Sequence, residues 1–212
     1  FGLGGKEYPV DRFLIRGGRR LTGEVRVAAA KNAVLPIFAA TLLTGEECVI
    51  RDVPGLADVA TMLELLGSLG VRVSRRGRTV RLQAGGRITP EAPYEVVRRM
   101  RASYYVLGPL VGRFGRARVS LPGGCAIGPR PVDLHLRGME ALGARVSLEH
   151  GYINARARRL RGAALLLEGA SGPSVGATAN VMMAAVLAEG ETVIEGAACE
   201  PEITDLARFL VR

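Results

Sequence analysis

Apolar residues recur along this chain at two spacings, one helical and one strand-like, and the two alternate in a fixed order. Asn32 to Leu43 is Ala-rich with apolar positions at i, i+3 and i+4, which predicts a helix. A Gly-Glu turn leads into Cys48 to Val53, whose alternation predicts a strand, and a Pro-opened helix follows, ending in Gly67-Ser-Leu-Gly-Val-Arg-Val73. The same order then returns. Ala102 to Val111 predicts a helix, Ala117 to Leu121 a strand, and the segment after Pro131 a helix ending in Leu142-Gly-Ala-Arg-Val146. A third pass takes Val175 to Glu189 as helix, Thr192 to Glu195 as strand, and Glu200 to Leu210 as helix, where the pattern stops short of its closing Leu-Gly strand.

The period is about 70 residues, so the chain reads as three copies of one unit, at about 23–84, 94–155 and 163–212, the last truncated. Such units stack helices on sheet, which predicts an α/β fold of three units about a pseudo-threefold axis with helices inside. The plainer alternative is a two-layer α/β domain in which the similarity is accidental.

The 212 residues are 48% hydrophobic and 23% charged, enough for one large domain or two small ones, which excludes wholesale disorder and a disulfide-stapled miniprotein. The longest apolar run, Val181 to Ala188, falls far short of the roughly 20 residues a bilayer span needs. Phe1-Gly-Leu-Gly-Gly has neither the basic nor the apolar part of a secretory signal and no initiator Met. The expectation is a cytoplasmic protein without a membrane segment, and a piece of something longer, with residues 1–12 as an extension to a domain at 13–212.

The net charge of +9 comes from 29 basic and 20 acidic residues, and only Lys6 and Lys31 are lysines. Basic surfaces gain affinity for nucleic acid by releasing counterions. Here the arginines are scattered through strand-like, helix-like and turn stretches, with aromatics at only 5% and no zinc-knuckle spacing. No nucleic-acid partner is expected, and small anionic ligands or a solvated surface account for the charge. Three cysteines without a C-x-x-C, and two histidines, define no metal site or disulfide plan. Cys48 reads as core and Cys199 as a turn or helix-entrance residue. His150, in Glu149-His-Gly-Tyr152, reads as part of a turn between strands and has no assigned role.

Superimposing the three units lays Lys31, Arg101 and Ser174 on one another, each at the start of its unit's first helix. Helix starts offer unpaired N–H groups and partial positive charge, so three of them brought together would form an anion pocket. Asn32 and Ser174 would equally serve as plain N-caps, with Pro36 in the first turn and the cations solvated.

Pro122-Gly-Gly-Cys-Ala-Ile-Gly-Pro-Arg-Pro131 has six Gly or Pro among ten residues and is a loop. A lone thiol there, with Arg130 nearby to favour thiolate, makes Cys125 a candidate reactive cysteine in general-acid or lid duty. Asp133, just beyond, reads either as first-turn dipole compensation or as a ligand contact, and His135 as a surface imidazole or as part of a polar ligand site.

These segments together, Lys31-Asn32-Ala33, Met100-Arg-Ala-Ser103, Leu121 to Gly128, Arg130 to His135 and Ser174 to Thr178, resemble the UDP-N-acetylglucosamine 1-carboxyvinyltransferase family, in order and spacing. The match runs from about Phe13 to the last residue. The sister family acting on shikimate phosphate shares the architecture without this Gly-Gly-Cys loop. The resemblance implies an enzyme of about twice this length, with each domain an inside-out α/β barrel of three repeats. It implies attack of the sugar 3-hydroxyl on phosphoenolpyruvate through a tetrahedral phospholactoyl intermediate, with loss of phosphate and no cofactor or metal.

The site residues that the resemblance implies are these. Lys31 and Asn32 hold phosphoenolpyruvate, Arg101 contacts the ligand anions, and Arg130 bridges phosphate. Cys125 acts as the general acid and is the residue fosfomycin alkylates. Arg130, Pro131, Val132, Asp133 and Leu134, with Gly172, Pro173, Ser174 and Val175, grip the UDP-sugar. Gly172 stands where relatives carry a polar or basic side chain, leaving only backbone contact, and Pro129 stiffens a loop that has to move. The second domain, with its acid/base aspartate and further arginines, is the partner this chain lacks, so the chain alone is expected to be an inactive half-site. Its first strand, near Phe13 to Arg16, is expected to pair with that domain and otherwise to leave an open edge. The rival is a non-catalytic module that binds anions or nucleotide sugars, either a fragment or a degenerate paralogue.

Overall fold

The computed structural model describes residues 14, 16–20, 22–25, 27, 29–121, 132–170 and 172–212. The loop Pro122–Pro131, with Cys125, Arg130 and Pro131, lies outside the described residues. Of the expected first strand, Leu14 and Arg16 are described, and neither belongs to a strand.

The first unit contains helix α1 (Lys31–Ala40) with a 3-10 turn (Thr41–Leu43), strand β1 (Glu47–Ile50), helix α2 (Ala57–Ser68) and the hairpin β2 (Arg72–Arg76) and β3 (Thr79–Gln83). Its sheet runs β1-β3-β2, all antiparallel. In the second, β4 (Glu91–Ala92) and the short helix α3 (Tyr94–Val97) precede a 3-10 helix (Arg101–Val106) that continues into α4 (Leu107–Phe114). Then come β5 (Arg116–Ser120), α5 (Asp133–Ala141), β6 (Arg145–Glu149) and β7 (Tyr152–Arg156), with the sheet ordered β4-β5-β7-β6 and β4 parallel to β5. The third unit has β8 (Ala164–Leu166), a small ribbon of β9 (Glu168–Gly169) and β10 (Gly172–Pro173), helix α6 (Val175–Ala185), β11 (Val193–Glu195) parallel to β8, and helix α7 (Pro201–Leu210).

The order helix, strand, helix therefore recurs three times, and the closing hairpin twice. The recurrence extends to single hydrogen bonds. After α2, Gly70 (φ 102°) donates to Gly67 and Val71 donates to Leu66 at 3.0 Å; after α5, Gly143 (φ 90°) donates to Glu140 and Ala144 donates to Met139 at 3.0 Å. Both are helix ends closed by a left-handed glycine, which an L side chain enters only with strain.

Three expected boundaries differ, each for a local reason. The helix expected from Ala102 is 3-10 as far as Val106, because Pro109 has no N–H for the Tyr105 carbonyl and the chain tightens ahead of it. Helix α6 ends at Ala185 rather than Glu189, since the Glu189 N–H donates to the Leu160 carbonyl at 3.0 Å and draws the chain towards the third unit's strands. Strand β1 ends at Ile50 because Asp52 adopts φ 59° and Val53 donates to Arg78. The turn at His150–Gly151 is as expected, with both residues at positive φ joining β6 to β7. Cys48 is half-buried opposite Leu82, and burial pushes its thiol pKa up; Cys199 is exposed just ahead of α7.

Helix α6 is buried on every side, Ala177 through Val181 with Met183 and Ala184, so it lies between layers rather than on one. The close contacts give its direction. A Cβ on Gly108 would stand 2.2 Å from the Asn180 carbonyl, and one on Gly112 would stand 3.2 Å from that of Ala184, so α4 and α6 run parallel with their backbones touching. Helix α5 lies along α6 in the same sense, with His135 against Gly176 and Gly138 against Val181. Arg113, near the end of α4, donates to the carbonyls of Leu42 and Thr44 just beyond α1, which sets α1 parallel as well. Packing of α1 and α6 against the Arg101–Val106 helix completes the bundle.

Candidate functional site at the helix starts

Because these helices are parallel, their first residues share one end of the bundle: Lys31 begins α1, Arg101 begins the 3-10 helix, Asp133 begins α5, and Ser174 caps α6. Parallel helices add their dipoles, so this end carries accumulated positive potential and a set of unpaired N–H groups. The side chains are disposed differently. The Lys31 ammonium pairs with Asp58, in the first turn of α2, and both remain partly exposed. Arg101 has no carboxylate within 4.0 Å among the described residues. Ser174 Oγ accepts from the Ala177 N–H at 3.3 Å, so it is a true N-cap.

Two readings of this end need correction. Asn32 is not an N-cap: the cap position is Ala30, and Asn32 is the second residue of α1, exposed. Pro36 lies in the interior of α1 rather than in its first turn; having no N–H, it leaves the Asn32 carbonyl without its i+4 donor.

His135 is the larger correction. It is buried, not a surface imidazole, and is the centre of a polar knot that joins three helices. Asn180 Nδ2 donates to His135 Nδ1 at 3.0 Å, while Asn180 Oδ1 accepts from the Gly108 N–H at 2.7 Å. With Nδ1 accepting, the imidazole proton sits on Nε2. The Tyr104 ring lies 5.7 Å from the imidazole, and a Cβ on Gly176 would come within 3.1 Å of it. Burial lowers the His135 pKa to about 4, helped by the Arg101 charge and opposed by Asp133, so the ring is neutral. Thus the Arg101 and Asp133 charges both act on one imidazole, and the knot holds that imidazole against the start of α6. Sequence reasoning missed Asn180 and Gly108. Two polar residues, Thr178 and Asn180, in an otherwise apolar helix are the signal that could have found the first.

Val132 caps α5 ahead of Asp133, and Leu134 is buried. Gly172 adopts φ 85° with open space around it, so its lack of a side chain goes with a left-handed backbone in the β9–β10 ribbon leading to Ser174. No helix among the described residues is long and apolar enough to cross a membrane, and no group of three potential metal ligands occurs among them.

Parallel helices packed against the sheets of three recurring units make this an α/β domain. The family described as EPSP synthase (3-phosphoshikimate 1-carboxyvinyltransferase) matches residues 15–212, and the chain belongs to it. Within that family it is 57% identical over 201 residues to UDP-N-acetylglucosamine 1-carboxyvinyltransferase 2 of Carboxydothermus hydrogenoformans, covering 95% of this chain and 47% of that protein. It is 54% identical to UDP-N-acetylglucosamine 1-carboxyvinyltransferase of Desulfosudis oleivorans, covering 95% and 48%. The chain therefore spans about half the length of these curated relatives, consistent with the N-terminal half. Among solved structures, the enolpyruvyl transferase NikO from Streptomyces tendae matches with a TM-score of 0.78 at 24% identity, over 92% of this chain and 45% of that one. EPSP synthase from Acinetobacter baumannii matches at 0.65 and 15%, over 86% and 42%. At those identities the likeness is one of fold.

Proposed function

We propose that the protein to which this chain belongs transfers the enolpyruvyl group of phosphoenolpyruvate to the 3-hydroxyl of UDP-N-acetylglucosamine and releases phosphate, a step of peptidoglycan synthesis in the cytoplasm. The observation that carries this reading is the 57% identity over 201 residues to an enzyme named for that reaction. The domain is then an inside-out barrel, three βα units around the helix bundle, with the second domain of the same chain as the missing wall of the cleft.

The proposed chemistry is the one the resemblance implies. The sugar hydroxyl gives its proton to the acid/base aspartate expected in the second domain as its oxygen bonds to C2 of phosphoenolpyruvate and C3 takes a proton, giving a tetrahedral adduct; the C–O bond to phosphate then breaks, releasing phosphate, as a proton leaves C3. Cys125 is the proposed acid at C3 and the fosfomycin target. A leaving phosphate needs fixed cations close by. Lys31, Arg101 and Arg130 are the proposed cations, with Asn32 beside them. Displacing the Asp58 carboxylate from Lys31 costs little, since an exposed pair contributes about 0.2–1 kcal/mol. Pro131, Val132, Asp133, Leu134, Gly172, Pro173, Ser174 and Val175 are proposed to hold the UDP-sugar, Gly172 through its backbone alone.

The half-length coverage favours binding without turnover for this chain by itself, because one wall of a cleft neither excludes water nor positions the hydroxyl. A phosphate-release assay on the isolated chain tests this, and turnover would overturn the half-site reading. Mass spectrometry after fosfomycin treatment in the presence of UDP-N-acetylglucosamine tests the acid: label on Cys125 is expected, and label on Cys199 or Cys48 instead would remove Cys125 from the mechanism.

A further inference from the structure

The arginines that look scattered in the sequence are gathered by the register of the second unit's sheet. Arg116 on β5 pairs with Arg156 on β7, which pairs with Arg145 on β6, so three exposed arginines occupy neighbouring register positions on one face of the sheet. Adjacent strands lie about 4.8 Å apart, and like charges directly opposite one another are unfavourable. The chain leaves β7 into Arg158, Arg159 and Arg161, which with Arg145 and Arg156 line a hollow of about 1240 Å³. Among the described residues only Arg159 of these six has a carboxylate partner, Glu189 at 3.5 Å.

The matching face of the first unit is different. There Arg81 pairs with Glu47, and Arg72 donates to the neutral amide of Gln83 at 2.7 Å, so two of that face's arginines have partners within the sheet. In the second unit the backbone cannot relax to spread them. Ala157 donates to Gly115 at 2.8 Å, Arg161 to Leu142 at 2.9 Å, and Glu189 to Leu160 at 3.0 Å, tying the arginine-bearing segment down on both sides.

The geometry points to a second anion site on this face, one that takes the phosphoanhydride chain of a polyphosphate. Guanidinium forks bind phosphate oxygens in pairs, and several forks at strand spacing suit phosphates linked directly to one another. A nucleic-acid strand, with one charge per nucleotide set further apart, leaves some of these guanidiniums unanswered. A protein partner finds no apolar centre here, since Val146 and Ala157 are the apolar residues lining the hollow apart from the Gly143 backbone, and both are half-buried. Arg116 directly follows Gly115, which closes the C-terminal end of α4, so this site lies away from the helix starts.

Calorimetric titration of the chain with sodium tripolyphosphate, orthophosphate, ATP and a dT20 oligonucleotide tests this. Tripolyphosphate is expected to bind more tightly than orthophosphate by more than about tenfold. The Arg145→Ser/Arg156→Ser variant, its fold checked by circular dichroism, is expected to lose about tenfold or more of that affinity, and Lys31→Ala none of it. ATP binding as tightly as tripolyphosphate identifies a nucleotide as the source of the chain, and weaker ATP binding identifies inorganic polyphosphate. Equal affinity for tripolyphosphate and orthophosphate, affinity unaffected by the double variant, or displacement of tripolyphosphate by dT20 at lower phosphate concentration would overturn the proposal.

Discussion

At one end of the helix bundle Arg113 reaches the carbonyls of Leu42, Thr44 and Ala84 at 2.7–3.1 Å. At the other end Lys31, Arg101 and Ser174 sit on helix starts, and the only one of them with a carboxylate partner among the described residues, Lys31, holds it at an exposed surface. Parallel helices accumulate negative charge at their C-terminal ends and positive charge at their N-terminal ends. The negative end is answered from within the chain by a fixed guanidinium. At the positive end no such internal answer occurs for Arg101 among the described residues, and it is this end that the proposed function gives to the ligand.

The contact that sets both ends at once should show the largest effect. Gly108→Ala places a methyl 2.2 Å from the Asn180 carbonyl, in backbone that cannot move aside. A loss of about 3 kcal/mol or more is expected in urea unfolding, together with weaker phosphoenolpyruvate binding. Arg113→Met acts at the sealed end alone. It strands three carbonyls and should cost about 2–3 kcal/mol, with phosphoenolpyruvate affinity unchanged; a loss of affinity in proportion to stability would erase the distinction between the ends.

A pH titration of stability acts at the open end. His135 has its pKa lowered from 6.5 to about 4 in the folded chain, so between those values the unfolded state binds a proton that the native state refuses. Stability is therefore intact above pH 6.5 and falls as the pH drops towards 4, by on the order of 3 kcal/mol. His135→Gln should remove that part of the slope; an unchanged slope would mean that other groups carry it. The smallest effect on folding is expected from Lys31→Ala, less than about 1 kcal/mol because its ion pair is exposed, while phosphoenolpyruvate affinity should fall about tenfold.

Much of this was legible in the sequence because it rests on local chemistry. The Leu-Gly closures at Gly70 and Gly143 revealed the repeat, since a left-handed helix end needs glycine. Helix starts at Lys31, Arg101 and Ser174 followed from apolar spacing and from one repeat laid on another. What remained hidden depends on contacts between distant segments. The burial of His135 is decided by Asn180, Tyr104 and Gly176, and no periodicity in α5 reveals them. The Arg116, Arg156 and Arg145 row exists only once β5, β7 and β6 are in register. The tightening of the chain ahead of Pro109 turned an expected α-helix into 3-10, because one missing N–H outweighed the apolar pattern.

Whether the open end of the bundle takes the anion can be measured directly. Calorimetric titration of phosphoenolpyruvate into the chain with UDP-N-acetylglucosamine present, wild type against Arg101→Ala, measures this. Saturable one-to-one binding by the wild type, weakened about tenfold or more in the variant, is the predicted result. Absence of binding by the wild type, or equal affinity in the two proteins, would contradict it.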